Sequence, residues 1–144
     1  MKFNFIIILI FVCEGFNLHA QNSSIELTIT NIRNSKGYIR YAIFDNEKHF
    51  LSTKTGFIDA GSVKAQKGSI KIKTNNIPDA FYAISVFHDE NNNEKVDTNI
   101  FGIPSEGFGF SKNPTLYFGP PKFKECVIEK KSNTKLNIEI KYYL

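Results

Sequence analysis

The feature that most restricts the fold is a regular alternation of apolar and polar residues, which recurs along the chain. Residues 25–30 and 134–142 both show it, and residues 69–73 show it over a shorter stretch. Successive side chains of a β-strand point to opposite faces of a sheet, so this period of two predicts strands with one buried face. No segment keeps a helical period beyond two turns, and we therefore expect an all-β protein.

Two further segments complete the predicted sheets. Residues 38–44 form a strand that we expect to pair with residues 25–30 as an antiparallel hairpin, because the cluster at 34–37 is typical of a turn. Residues 81–87 are the most apolar run after the N-terminal segment, which predicts a central strand. Short strands and frequent turns favour an antiparallel β-sandwich. We expect its core to include Ile43, Ile84, Val86 and Ile138.

The connections carry weaker signals. Asp45 precedes a helical turn over residues 46–51, and its carboxylate is a suitable N-cap. Residues 52–68 are polar and contain several glycines, which indicates a loop with one short edge strand. The stretch from His88 to Pro121 is long and rich in Gly, Asn and Pro. Loops of that length are usually functional, so we expect it to be the working surface.

The N-terminus has the three parts of a secretory signal. Lys2 supplies the positive charge, residues 3–13 are apolar, and Ala20 precedes a cleavage site before Gln21. The apolar run is too short to span a bilayer, which needs roughly 20 residues. Val12, which is not small, precedes Cys13, and this argues against a lipid-anchored cysteine. We therefore predict a signal peptide at residues 1–20, a single domain at 21–144 and a periplasmic or secreted location.

Charge and cysteine content exclude some functions. The net charge is +4, but the basic residues are scattered lysines with only Arg33 and Arg40 as arginines. A nucleic-acid partner is not expected, because such proteins cluster their basic residues. The pair at 130–131 is typical of solvated surface. Cys126 is the only cysteine after residue 20, so no internal disulfide is predicted, and a buried apolar role is favoured over a nucleophilic one.

An Asn-rich segment after the predicted central strand has the spacing of a calcium loop. Oxygen-bearing side chains at positions 1, 3, 5 and 9, with a main-chain carbonyl at position 7, are the pattern that Ca²⁺ requires. The candidate ligands are Asp89, Asn91, Asn93, the carbonyl of Lys95, and Asp97. Glu94 replaces the usual glycine at position 6, and Ile100 replaces the usual glutamate at position 12. We expect weak binding, about 0.1–1 mM; the alternative is an Asn-rich turn whose side chains cap their own backbone.

Two other features of the long segment have both a structural and a functional interpretation. His88 is more often a packed, hydrogen-bonded side chain than a ligand at such a position. Residues 101–110 alternate glycine with aromatic residues, as in a self-packed loop whose glycines permit tight turns, or in a platform on which a ligand stacks. A hydrolase is the alternative function, with its acid and base drawn from His88, Asp89, Asp97 and Glu106.

Four motifs together resemble a known bacterial family. Residues 37–45, 82–91, 102–111 and 118–121 are similar to secreted proteins grouped as domain of unknown function 2141. The resemblance implies an exported protein with an immunoglobulin-like or prealbumin-like sandwich, and no established activity. Relatives tend to carry glycine in the Asn-rich loop, where this chain has Asn92 and Glu94. We expect a non-catalytic envelope module that binds an envelope protein or glycan, with calcium as its only candidate cofactor.

Overall fold

A computed structural model describes residues 23–117 and 119–144; the predicted signal peptide, residues 1–20, lies outside them. Strands account for most of the regular structure. They are β1 (Ser24–Ile32), β2 (Tyr38–Phe44), β3 (Asp59–Lys64), β4 (Gly68–Asn75), β5 (Phe81–Asp89), β6 (Gly107–Phe110), β7 (Ile128–Glu129) and β8 (Thr134–Glu139). The helical pieces are a 3₁₀ turn (Glu47–His49) and one α-helical turn, α1 (Phe123–Cys126).

The strands form two sheets. The small sheet has the order β4-β1-β8, and the large sheet has the order β3-β2-β5-β6, with β7 pairing at the start of β5. All pairs are antiparallel except β1 with β8, which run parallel. The prediction of an all-β, sandwich-like fold is confirmed. The described part of the chain contains no helix with the length and apolar character needed to cross a membrane.

The core lies between the two sheets. β1 contributes Ile25, Leu27 and Ile29 from one sheet, and β5 contributes Ile84 and Val86 from the other, all almost completely buried. The intervening residues of both strands face outward, as the period of two requires. All four predicted core residues, Ile43, Ile84, Val86 and Ile138, are buried in this cluster.

The predicted hairpin between β1 and β2 is wrong. β1 pairs with β4 and β8, whereas β2 pairs with β3 and β5 in the opposite sheet. The five residues between the strands cross from one sheet to the other. Gly37, at φ 61°, lies so close to the Asp89 carbonyl that a Cβ would collide with it. A glycine is needed here both for the positive φ and for the close approach.

Other local predictions have mixed outcomes. The edge strand expected within residues 52–68 is β3, and the apolar run at 81–87 is central in its sheet, as predicted. The cap of the helical turn is not Asp45 but Asn46, whose side-chain oxygen accepts a hydrogen bond from the His49 amide. The long connection after β5 is not loop throughout, because it contains the strand β6.

Lys130 corrects a further expectation. Its side chain is buried rather than solvated, and its ammonium bonds Asp79 at 2.7 Å, the Ser132 carbonyl at 2.9 Å and the Ser23 hydroxyl. A buried ammonium needs such partners, because an unpaired charge in the interior is costly. The cluster fixes the beginning of β1 against the loop before β8. The Asp79 carboxylate accepts hydrogen bonds from Lys130, from the Ser132 amide and from the Ser23 hydroxyl, and these bonds, led by the one from Lys130, lower its pKa to about 2.

The two sheets differ on their outer faces. The small sheet presents polar side chains to solvent, among them Glu26, Thr28, Lys71, Lys73, Lys135 and Asn137. The large sheet is instead covered by apolar side chains and loops. This second outer face carries the candidate site.

Candidate functional site

The centre of the large sheet's outer face is built from small side chains. Cross-strand partners in an antiparallel sheet lie on the same face, about 4.5–5.5 Å apart. The register places Ala60 of β3 beside Ala42 of β2, Ala42 beside Ser85 of β5, and Ser85 beside Phe110 of β6. We call this row the small ladder. Because three of its four members are alanine or serine, the face is hollow at this point.

The next row across the sheet has larger side chains. It runs from Ser62 to Arg40, Phe87 and Phe108 on the same four strands, and we call it the Arg40 ladder. The side chains of Phe87 and Phe108 are partly exposed rather than buried. Together the two ladders make a surface with one cation and an aromatic border.

Loops border this surface on several sides and form with it a groove of about 880 Å³. One wall is formed by Leu51 and Phe57, a second by Val96 and Ile103, and a third by Leu116, Tyr117 and Tyr143. Ligand pockets typically measure about 300–1,000 Å³ and are lined mainly by apolar residues. The groove matches both criteria.

One end of the outer face is filled. Phe44 and Ala83 are neighbours on β2 and β5, and α1 and the segment after the 3₁₀ turn pack over them. The ring of Phe50 lies 5.6 Å from those of both Phe44 and Phe123 in edge-on contacts. Cys126, predicted to be buried, belongs to this cluster; burial and the nearby Glu125 carboxylate raise the pKa of its thiol to about 11.

The opposite end of the groove carries its charged lining residues, Arg40 and Glu94. The Arg40 Nε lies 2.6 Å from Oδ2 of Asp89, and the Arg40 Nη2 donates to the Asn92 side-chain oxygen at 2.9 Å. The Asp89 side chain is fully buried. Burial by itself would raise the pKa of Asp89, but hydrogen bonds from Arg40 and from the Glu94 and Asn93 amides outweigh burial and lower it. Asp89 is therefore an ionised anchor that holds the Arg40 side chain in place.

The loop that forms the wall beside Arg40 is fixed by a buried carboxylate. Glu106 accepts hydrogen bonds from the amides of Glu90 at 2.9 Å and Asp97 at 3.2 Å. Beyond Asp97, the Asn99 side chain accepts from the amides of Phe101 and Ile103 in a tight turn. This turn presents Ile100 and Phe101 to solvent, 93% and 80% exposed. Sequence spacing did not single out this apolar tip.

Of the predicted calcium ligands, Asp89 ends β5 and the others follow it in this loop, where Asn91 and Asn93 bond to Asp97. The side-chain amides of Asn91 and Asn93 donate to the two carboxylate oxygens of Asp97, at 2.6 and 2.9 Å. The Asn93 Oδ1 accepts from the Lys95 amide, and Asp89 is paired with Arg40. Residues 23–117 and 119–144 contain no cluster of three or more His, Cys, Asp or Glu side chains arranged to hold a metal. Calcium binding stays a prediction.

The four residues of the hydrolase hypothesis have structural partners. His88 is buried, with Nδ1 2.8 Å from the Tyr142 hydroxyl and Nε2 2.8 Å from the Lys36 carbonyl. Asp89 pairs with Arg40, and Glu106 holds the loop at the Asp97 amide. These contacts give the four groups roles in positioning the long segment.

The glycine–aromatic alternation has a different basis from the turns that the sequence suggested. Gly107 and Gly109 face inward, where a Cβ at Gly109 would lie 2.6 Å from the Glu139 carbonyl oxygen and 2.8 Å from the side chain of Ile138. The glycines thus let β6 pack closely against β8 and the residues that follow it. The intervening Phe108 and Phe110 face the groove. The alternation of glycine and phenylalanine is itself the sequence signal for such a strand, with the glycines on one face and the rings on the other.

The fold and the groove define a two-sheet β protein with an apolar cavity on the outside of its larger sheet. A family model described as an uncharacterized protein conserved in bacteria, DUF2141, matches residues 27–138. The chain belongs to this family, as its motifs suggested. Comparisons with curated proteins and with solved structures find no match.

Proposed function

We propose that this protein is a non-catalytic binding module that holds a small, mainly apolar ligand in the groove. The observation that carries the proposal is the hollow of about 880 Å³ over the small ladder, surrounded by apolar loops and aromatic rings. Natural surfaces seldom keep such concave apolar area without a use for it. The polar outer face of the small sheet shows that this composition is not a general property of the molecule.

The proposal includes export to the periplasm or the medium. It is supported by the charged, apolar and small-residue regions of residues 1–20. N-terminal sequencing of protein recovered from these compartments should begin at or near Gln21, and an intact Met1 would contradict export. The sequence favours an envelope protein or a glycan as the partner. The apolar lining favours a small apolar ligand over both.

The test is a fluorescence titration of residues 21–144 with N-phenyl-1-naphthylamine, a neutral apolar probe. Ser85→Phe places a large ring in the middle of the small ladder and should weaken probe binding by at least tenfold. Thr28→Phe adds the same ring to the outer face of the small sheet, and should leave binding unchanged. A second variant, Ala42→Phe, repeats the test on the neighbouring strand.

Melting temperatures establish that each variant is folded before its titration is interpreted. Saturable probe binding that is lost in Ser85→Phe and Ala42→Phe, but kept in Thr28→Phe, would support the groove as the site. Absence of saturable binding in the wild type, or equal binding by all four proteins, would contradict it.

A further inference from the structure

We infer that the ligand of the groove carries an acidic head group, which binds Arg40 while its apolar body lies over the small ladder. This inference rests on the proposed function, since it assigns a chemical class to the ligand of that groove. Three observations lead to it: the position of Arg40 in the floor, the donor that its partners leave free, and the loose contact with Glu94.

Arg40 projects from the floor of the groove at its charged end. It stands on β2 between Ser62 of β3 and Phe87 of β5, one row away from the small ladder. A ligand that lies across the small ladder, in the direction of β2 from Ala42 towards Arg40, would therefore bring one of its ends to the guanidinium. Apolar pockets generally fix the orientation of their ligands through a few such polar groups.

The guanidinium is held rigidly but is not fully used. Nε donates to Asp89 and Nη2 donates to Asn92, while the Tyr38 ring centroid lies 5.9 Å from its central carbon. Among the residues that the structure describes, Nη1 donates to no acceptor. Arginine has five N–H donors and stays protonated at all physiological pH values. A carboxylate is the natural acceptor, because charge-assisted bonds to arginine are about twice as strong as neutral ones.

The remaining anion near Arg40 is poorly placed to compete. The Glu94 carboxylate lies 3.4 Å from Nη2, and its side chain is 75% exposed. Such exposed ion pairs contribute little, so an incoming acidic group can displace this one. Glu94 nevertheless repels a ligand anion at short range. Removing its charge should strengthen the binding of an acid and should not affect a neutral ligand.

The experiment displaces the neutral probe with three compounds of equal chain length: decanoate, decanol and decylammonium, each below its aggregation concentration. Decanoate should displace the probe roughly ten times more effectively than decanol. Glu94→Gln should improve displacement by decanoate several-fold and leave decanol unchanged. The Glu94 side chain is exposed, so this variant should remain folded.

A second variant removes the cation. Because Arg40 neutralises buried Asp89, the double substitution Arg40→Gln with Asp89→Asn replaces the ion pair by two neutral groups that still hydrogen-bond. Decanoate should lose its advantage over decanol in this protein, while decanol binds as before. The single variant Asp89→Asn keeps Arg40 and an amide oxygen that can still accept from its Nε. Its stability should be lower because the buried charge is lost, but protein that melting temperature shows to be folded should retain the preference for decanoate.

The outcomes separate the two proposals. If the probe binds but decanoate and decanol are equivalent, or decylammonium is preferred, the acidic head group is wrong and the groove remains. Decanoate preference that survives the double substitution would likewise overturn the role of Arg40. If the probe does not bind the wild type at all, the proposed function fails and this inference fails with it.

Discussion

Replacing Val86 by alanine tests the placement of β5 between the two sheets. Val86 is 1% exposed and belongs to the central cluster with Ile84 and Ile43. The substitution removes two methyl groups, which at about 0.8 kcal/mol each corresponds to roughly 1.6 kcal/mol of burial. A residual cavity adds to this loss, so we expect the free energy of unfolding to fall by about 1–3 kcal/mol.

Urea denaturation followed by far-UV circular dichroism measures the effect, since the chain has no tryptophan for fluorescence. The midpoint should fall while the slope of the transition stays constant. Val96→Ala is the matched control, because Val96 is 41% exposed in the loop and should change stability by less than about 0.5 kcal/mol. An unchanged midpoint for Val86→Ala would show that this face of β5 is not the buried one.

Four further predictions concern the close contacts, the titrating groups and the loop. Gly109→Ala should destabilise the fold by about 1–3 kcal/mol, because its Cβ would meet the Glu139 carbonyl; calorimetry that found an unchanged Tm would show that β6 and β8 are farther apart. Since the pKa of Asp89 is lowered in the folded state, its contribution to stability is present above its ordinary pKa of about 3.9 and is lost as pH falls toward the lower folded value. When the pH is lowered from 5 to 3, the urea midpoint of Asp89→Asn should therefore fall by less than that of the wild type. Equal falls in the two proteins would refute the lowered pKa of Asp89. The Cys126 thiol, with a pKa of about 11, should react with a disulfide reagent at pH 8 only after unfolding; rapid labelling of the folded chain would contradict its burial. Millimolar CaCl₂ is predicted to raise the Tm of the wild type but not of Asp97→Asn, and an equal rise with MgCl₂ at matched ionic strength would argue against a calcium site.

Asp89 has a structural role that its position in the calcium-like spacing does not reveal. From spacing alone, Asp89→Ala is expected to remove a calcium ligand and leave the calcium-free stability nearly unchanged. In the structure the carboxylate is buried and lies 2.6 Å from the Arg40 Nε. Its removal would leave a cation without its partner, which is strongly destabilising in buried pairs. Asp97, whose contacts are confined to the loop, is the better position for the calcium test.

The candidate groove could not be predicted from the sequence, because its residues come from separate segments that no local pattern connects. Ala42, Ala60 and Ser85 are unremarkable as single residues in three separate strands. They become one surface only through the register that aligns β3, β2 and β5. Similarly, Arg40 and Asp89 are 49 positions apart, and no local pattern relates them.

What the sequence determined by itself is the set of properties that depend on neighbouring residues. Alternation at a period of two identified β1, β4 and β8 and the inward positions of Ile43, Ile84, Val86 and Ile138, because side chains alternate within any strand whatever its partner. The tertiary structure decided which strands pair: β1 joined β4 and β8 rather than β2, and β6 formed where glycines allowed a close approach to β8. Strand pairing is a choice among distant segments that share the same local pattern, and it is made by how the whole apolar surface can be buried at once.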